Sequence, residues 1–143
     1  MDAADTVIIE RLNLLRDNVD YLKTEASATR SFQEYAENVR LKKAVERSLH
    51  VAIEACLDLA RHVIAREGFR FPQDYQDTFR VLADERVVSQ TLLPSLLDMA
   101  RFRNLIVHDY AKIDDVKVYE ILRNRLGDFD AFAEAIRTYL LGA

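Results

Sequence analysis

At 143 residues with a formal net charge of -4, the chain is sized for one domain with a single core that needs neither disulfides nor metal. Half of its residues are hydrophobic and 31% are charged, a globular balance, and the acidity argues against a general nucleic-acid coat, which would be basic overall. Three glycines and two prolines leave room for long helices and little else, so the expected fold class is all-α: one bundle of about five helices, residues 1–143 as a single domain.

The first residues, Met1-Asp2-Ala3-Ala4-Asp5, are acidic where a signal peptide would be basic, and the expected location is cytoplasmic. A first helix is expected over residues 7–24, with Ile8, Leu12, Leu15, Val19 and Leu22 at spacings of three and four. A second is expected over residues 31–67, stopped by Gly68. Its roughly 36 residues would extend about 54 Å at 1.5 Å per residue, so a kink near Asn38 or an overhang onto a partner is expected. Cys56, the only cysteine, sits in its apolar run Ala52-Ile53-Glu54-Ala55-Cys56-Leu57, which reads as a buried, inert thiol. After a loop at 69–73, a short third helix over residues 74–84 places Tyr75, Phe79 and Leu82 on one side. The fourth begins near Ser89 or Thr91, with Pro94 in its first turn, and reaches Val107. The last follows Asp114, an N-cap residue, and carries Val118, Leu122, Leu126, Phe129, Phe132, Ile136 and Leu140 as one stripe. Gly127 inside it costs about 1 kcal/mol relative to alanine, which packing must offset. No run approaches the ~20 apolar residues of a membrane span, so no membrane partner is expected. Three histidines are too few for a convincing multi-ligand metal site, and neither metal nor cofactor is expected.

The segment richest in chemistry is Arg101-Phe102-Arg103-Asn104-Leu105-Ile106-Val107-His108-Asp109-Tyr110. On a regular helix, Arg103 and His108 would point about 140° apart. For both to face one substrate, the helix must end just before His108, with Asn104 able to tie the turn. His108 has the ordinary pKa for moving protons near neutrality. Arg103 offers a fixed fork of donors to phosphate oxygens, and Tyr110 could position a nucleotide by stacking or hydrogen bonding. These roles suit metal-independent cleavage of RNA by its own 2′-hydroxyl. The plainer alternative is a helix cap with neighbouring surface residues.

On the second helix, Lys43, Arg47, His50, Glu54, Asp58 and Arg61 fall within roughly 80° of one another. The rest of its circumference is apolar, including Leu41, Val45, Leu49, Ile53, Leu59 and Val63. A narrow polar ribbon on a buried helix lines a cleft or meets a partner; a plain solvated face of ion pairs is the alternative. Arg47, Glu54 and Arg61, together with Asn104 and Tyr110, are the candidates for positioning a substrate.

The run Arg103-Asn104-Leu105-Ile106-Val107-His108-Asp109-Tyr110 resembles the signature of the HEPN superfamily, and within it the HepT-like toxins: Arg, four residues, His, any residue, Tyr. The second-helix phrase Val45-Glu46-Arg47-Ser48-Leu49-His50-Val51-Ala52-Ile53-Glu54-Ala55-Cys56-Leu57-Asp58 is also similar to that family's, and helix order and length agree along nearly the whole chain. The resemblance implies a HEPN-type bundle that pairs through its long helices into a homodimer or higher oligomer, two motif copies sharing one cleft. It implies a metal-independent endoribonuclease with Arg103 and His108 catalytic. It further implies an MNT-type nucleotidyltransferase antitoxin that silences the toxin by transferring AMP to Tyr110. Asp109 places an acid beside the histidine, its effect on His108 left open. Two alternatives stand beside this reading: a non-catalytic HEPN partner that binds nucleotide or scaffolds a nucleotidyltransferase, and a structural bundle in which the motif is coincidence.

Overall fold

The long third helix of the chain, Val39–Glu67, is its axis, and the other elements wrap around it. In the computed structural model the described residues are 3–141. They form α1 (Ala3–Ala28), α2 (Phe32–Ala36), α3 (Val39–Glu67), α4 (Tyr75–Asp84), α5 (Leu93–His108), a 3₁₀ turn (Tyr110–Lys112), α6 (Asp115–Asn124) and α7 (Leu126–Leu141), with no strand among them. The expected all-α class holds. Residues 1, 2, 142 and 143 of the expected 1–143 domain lie outside the described residues. None of the described helices is long and apolar enough to cross a membrane.

α1 buries Ile8, Leu15, Val19 and Leu22 against α3, as their spacing dictates. Its end is closed from a distance: Arg123 Nη1 donates to the carbonyls of Ala26 and Thr29, satisfying acceptors that a helix terminus leaves open. The expected 31–67 helix is two helices. Asn38 is extended at φ -105, ψ 94, and its Oδ1 accepts from the Leu41 N–H at 3.0 Å. An Asn that caps the following turn competes with continuing the preceding one, so the expected kink is a full break. Gly68 ends α3 with a left-handed φ of 70, where glycine has no Cβ penalty.

The apolar circumference of α3 is covered within one chain. Val45, Leu49, Ala52, Ile53, Cys56, Leu57, Leu59, Ala60 and Val63 are buried beneath α1, α4, α5 and α7. Burial pushes the Cys56 thiol well above its ordinary pKa, the inert state expected of it.

α4 starts at the Asp74 cap, whose Oδ1 accepts from the Asp77 N–H at 2.7 Å. Asp77 in turn accepts both Nη groups of Arg70 at 2.7 and 2.9 Å and the Gln73 N–H at 2.9 Å. The guanidinium and then that amide hold its carboxyl at about 2. Phe79 meets Phe132 of α7 edge to face at 5.7 Å, a preferred aromatic geometry. The expected last helix also breaks, at Arg125 (φ -119), which donates to Asp128 at 2.9 Å. Gly127 thereby lies in the first turn of α7, and a Cβ added there would meet nothing within 4 Å. No close packing requires that glycine.

Candidate active site

Three elements build the site: the middle of α3, the start of α4, and the end of α5 with its following turn. Arg103 on α5 turns inward, its side chain 13% exposed, and its Nε donates to Glu54 Oε1 of α3 at 2.5 Å. Nη1 reaches Asn104 Oδ1 at 3.3 Å. The guanidinium carbon sits 4.2 Å from the ring centroid of Tyr75, the first residue of α4. Carboxylate and ring hold the planar group from two directions, combining a charge-assisted hydrogen bond with a cation–π contact. Nη2 has no side-chain partner among the described residues. The same Glu54 oxygen lies 3.5 Å from His50 Nε2, and the Arg61 guanidinium carbon lies 5.6 Å from the Tyr75 ring centroid while Arg61 pairs with Asp58 at 2.6 Å.

His108 is placed differently. It is the last residue of α5, exposed, and has no side-chain partner among the described residues. The helix does not end before it: the Asp109 N–H still donates to the Leu105 carbonyl at 2.9 Å, and the chain departs only at Asp109, φ -149. The expected early ending is thus corrected, and Arg103 and His108 retain the divergence of about 140° that a regular helix imposes. His108 shares a face with Arg101, Asn104 and Leu105, and together with Asp109 and Tyr75 they line an open depression of about 500 Å³. Asp109 turns to Lys112, 3.2 Å away.

Tyr110 opens the 3₁₀ turn, 56% exposed. Its hydroxyl donates to Glu46 Oε1 of α3 at 2.5 Å, a bond that, with partial burial, raises the Tyr110 pKa. Of the ribbon residues, Glu54 and Arg61 are brought to the motif through Arg103 and Tyr75. Arg47 stays exposed, without a partner among the described residues. Two contributors were absent from the sequence-derived site: Tyr75, taken there as one side of a short helix, and Glu46, present there only within the second-helix phrase. Among the described residues, no three His, Cys, Asp or Glu side chains gather as metal ligands would.

A helical bundle that carries Arg103, His108 and Tyr110 at the end of one helix and an acidic partner on the long helix is of the HEPN type. The chain belongs to the ribonuclease HepT-like family, whose pattern matches residues 8–136. The mRNA nuclease HepT of Shewanella oneidensis is 30% identical over 104 residues, which cover 73% of this chain and 78% of that protein. The tRNA nuclease HepT of Aphanizomenon flos-aquae is 24% identical over 142 residues, 99% of this chain and 95% of that one. Among solved structures, the tri-AMPylated Shewanella oneidensis HEPN toxin in complex with MNT antitoxin has a TM-score of 0.84 at 25% identity, covering 96% of this chain and 99% of that chain.

Proposed function

We propose that this ribonuclease is the toxin of a cytoplasmic toxin–antitoxin pair: a metal-independent endoribonuclease, one domain per chain and homodimeric, silenced by an MNT-type nucleotidyltransferase that transfers AMP to Tyr110. The observation that carries the reading is the clamp on Arg103, held by Glu54 at 2.5 Å and by Tyr75 at 4.2 Å. A guanidinium fixed before substrate arrives stabilises developing phosphate charge without reorganising.

In the cleavage step the RNA 2′-hydroxyl attacks the adjacent phosphorus, the bond to the 5′-oxygen breaks, and charge gathers on the non-bridging oxygens. Arg103 Nη2 is the donor left for those oxygens. His108, exposed beside the depression that Asn104 and Tyr75 help line, moves the proton. Because Arg103 and His108 diverge on one helix, a phosphate served by both is most simply met by Arg103 of one copy and His108 of a second. Val107, 42% exposed beside His108, gives such a pairing an apolar contact. Homodimerisation is thus supported by the motif's geometry and not by any uncovered face of α3.

The named relatives act on mRNA and tRNA, so single-stranded or looped RNA is the substrate class proposed here. Adding AMP at Tyr110 would bring an anion and a nucleotide's bulk to the segment that follows His108, competing with RNA for Arg103. The test is expression of wild type beside His108→Ala, scoring growth arrest and RNA integrity, with purified protein assayed in EDTA. Arrest and cleavage by wild type alone, surviving chelation, are expected; cleavage retained by His108→Ala, or lost on chelation, overturns the mechanism. Light scattering should return twice the 16.5 kDa chain mass.

A further inference from the structure

The long helix presses a second carboxylate against the motif, and the cleavage chemistry does not use it. Glu46 is 8% exposed and pairs with no cation among the described residues, although Lys42 on the preceding turn reaches Asp115 of α6 at 3.1 Å. Its hydrogen-bonded side-chain partner is the Tyr110 hydroxyl. The Tyr35 hydroxyl of α2, buried and without a hydrogen-bond partner, lies within the electrostatic reach of the same carboxylate. A buried anion with one neutral donor is unfavourable. If the contact only tied the 3₁₀ turn to α3, a glutamine or a backbone carbonyl would do so without the charge.

We propose that Glu46 prepares Tyr110 for nucleotidyl transfer, orienting its hydroxyl and accepting its proton when AMP is added. The inference rests on the modification of Tyr110 proposed above. In the step, Tyr110 Oη attacks the α-phosphorus of ATP and a new P–O bond forms. The bond from that phosphorus to the oxygen bridging to the β-phosphorus breaks, pyrophosphate leaves with its electron pair, and the phenolic proton passes to Glu46 Oε1. Glu46 and Asp115 disfavour a free tyrosinate, so the proton leaves during the attack and not before it, which is the situation a general base serves. The charged and titratable groups facing this pair are Tyr35 from α2, Lys42 from α3 and Asp115 from α6. Once esterified, Oη has no proton to donate and carries a phosphate anion, so the modified side chain cannot keep its place against Glu46.

The experiment follows AMP addition by intact mass and peptide spectrometry, using full-length chain, the cognate nucleotidyltransferase and ATP with magnesium. Wild type, Glu46→Gln, Glu46→Asp and Tyr110→Phe are compared across pH, with thermal melting as a check on folding. Glu46→Gln keeps an acceptor for the hydroxyl and is expected to melt as wild type does. Its maximal rate should fall about 10²-fold or more, with the KM for the toxin little changed. That residual rate should climb with pH as the phenol ionises, where wild type is flat near neutrality. Glu46→Asp should recover part of the rate, and Tyr110→Phe should take no label at that position. A Glu46→Gln chain labelled at the wild-type rate with the wild-type pH profile overturns the role of Glu46 and leaves the modification of Tyr110 standing. Wild type unlabelled at Tyr110 overturns both.

Discussion

The two ends of the Arg103–His108 segment are built on opposite terms. Arg103 is enclosed, gripped by a carboxylate from α3, a ring from α4 and its neighbour Asn104. His108, five residues on, is exposed and ungripped. The contrast fits the roles proposed for them. A group that stabilises charge works best when its orientation is fixed beforehand, whereas a group that moves a proton must reach atoms brought by the substrate or by a second chain.

Mutation should separate the ends by which property it disturbs. The largest effect belongs to the free end: His108→Ala should lose about 10²–10⁴-fold in cleavage rate while its stability stays within about 0.5 kcal/mol. Cleavage kinetics beside a thermal melt decide this, and a large drop in melting temperature would show that His108 is gripped after all. At the held end both properties should move together. Glu54→Ala should lower stability by about 1–2 kcal/mol, a figure discounted because the carboxylate is partly exposed, and should slow cleavage as Arg103 loses its anchor. A double-mutant cycle with Arg103→Ala should return most of that loss as coupling.

Acid offers a third separation. The folded Asp77 carboxyl, at about 2, lies below its ordinary unfolded value of about 3.9. Its contribution is therefore fully present above pH ~4 and is lost as pH falls toward 2. Urea midpoints between pH 5 and pH 2 should fall, and Asp77→Asn should be destabilised near neutrality and flatter across that range; identical slopes for the two chains would refute the assignment. A smaller effect probes the ring: Tyr75→Leu should weaken the held end by about 0.5–1 kcal/mol through the lost cation–π contact, and Tyr75→Phe should not. Smallest and remote from both ends, Gly127→Ala should stabilise by about 0.4–1 kcal/mol in denaturant titration, because its Cβ enters open space.

How much of this was legible depended on whether the signal was local. The apolar spacing of α1, the Gly68 stop and the Asp114 cap are set within a turn or two of sequence, and each stands where expected. The Asn38 break was half legible, since excess length pointed to a kink but not to the capping bond that makes it a break. The α6–α7 break was hidden because the apolar stripe from Val118 to Leu140 runs straight across Arg125. Tyr75 and Glu46 were missed for a different reason. Tyr75 serves α5 from another helix, and Glu46 lies about 40° beyond His50, outside the polar ribbon as drawn on a helical wheel. Nothing local distinguishes a tyrosine that supports an arginine from one that fills a core.

That distance along the chain also has a meaning in time. Glu54 and Arg103 are 49 residues apart, and Glu46 and Tyr110 are 64 apart. At a synthesis rate of roughly 5–20 residues per second, the later member of each pair follows the earlier by roughly 2–13 s. Throughout that interval Glu46 and Glu54 of α3 wait without the phenol and guanidinium that later meet them. Arg103 and Tyr110, the phosphate donor and AMP acceptor proposed above, reach their partners only after α5 and the turn beyond it have been made. On the roles proposed for these residues, a ribosome does not build this nuclease gradually: the growing chain lacks the site until its last third is synthesised, and then the proposed cutting and silencing groups arrive within one helical turn and a few residues of each other.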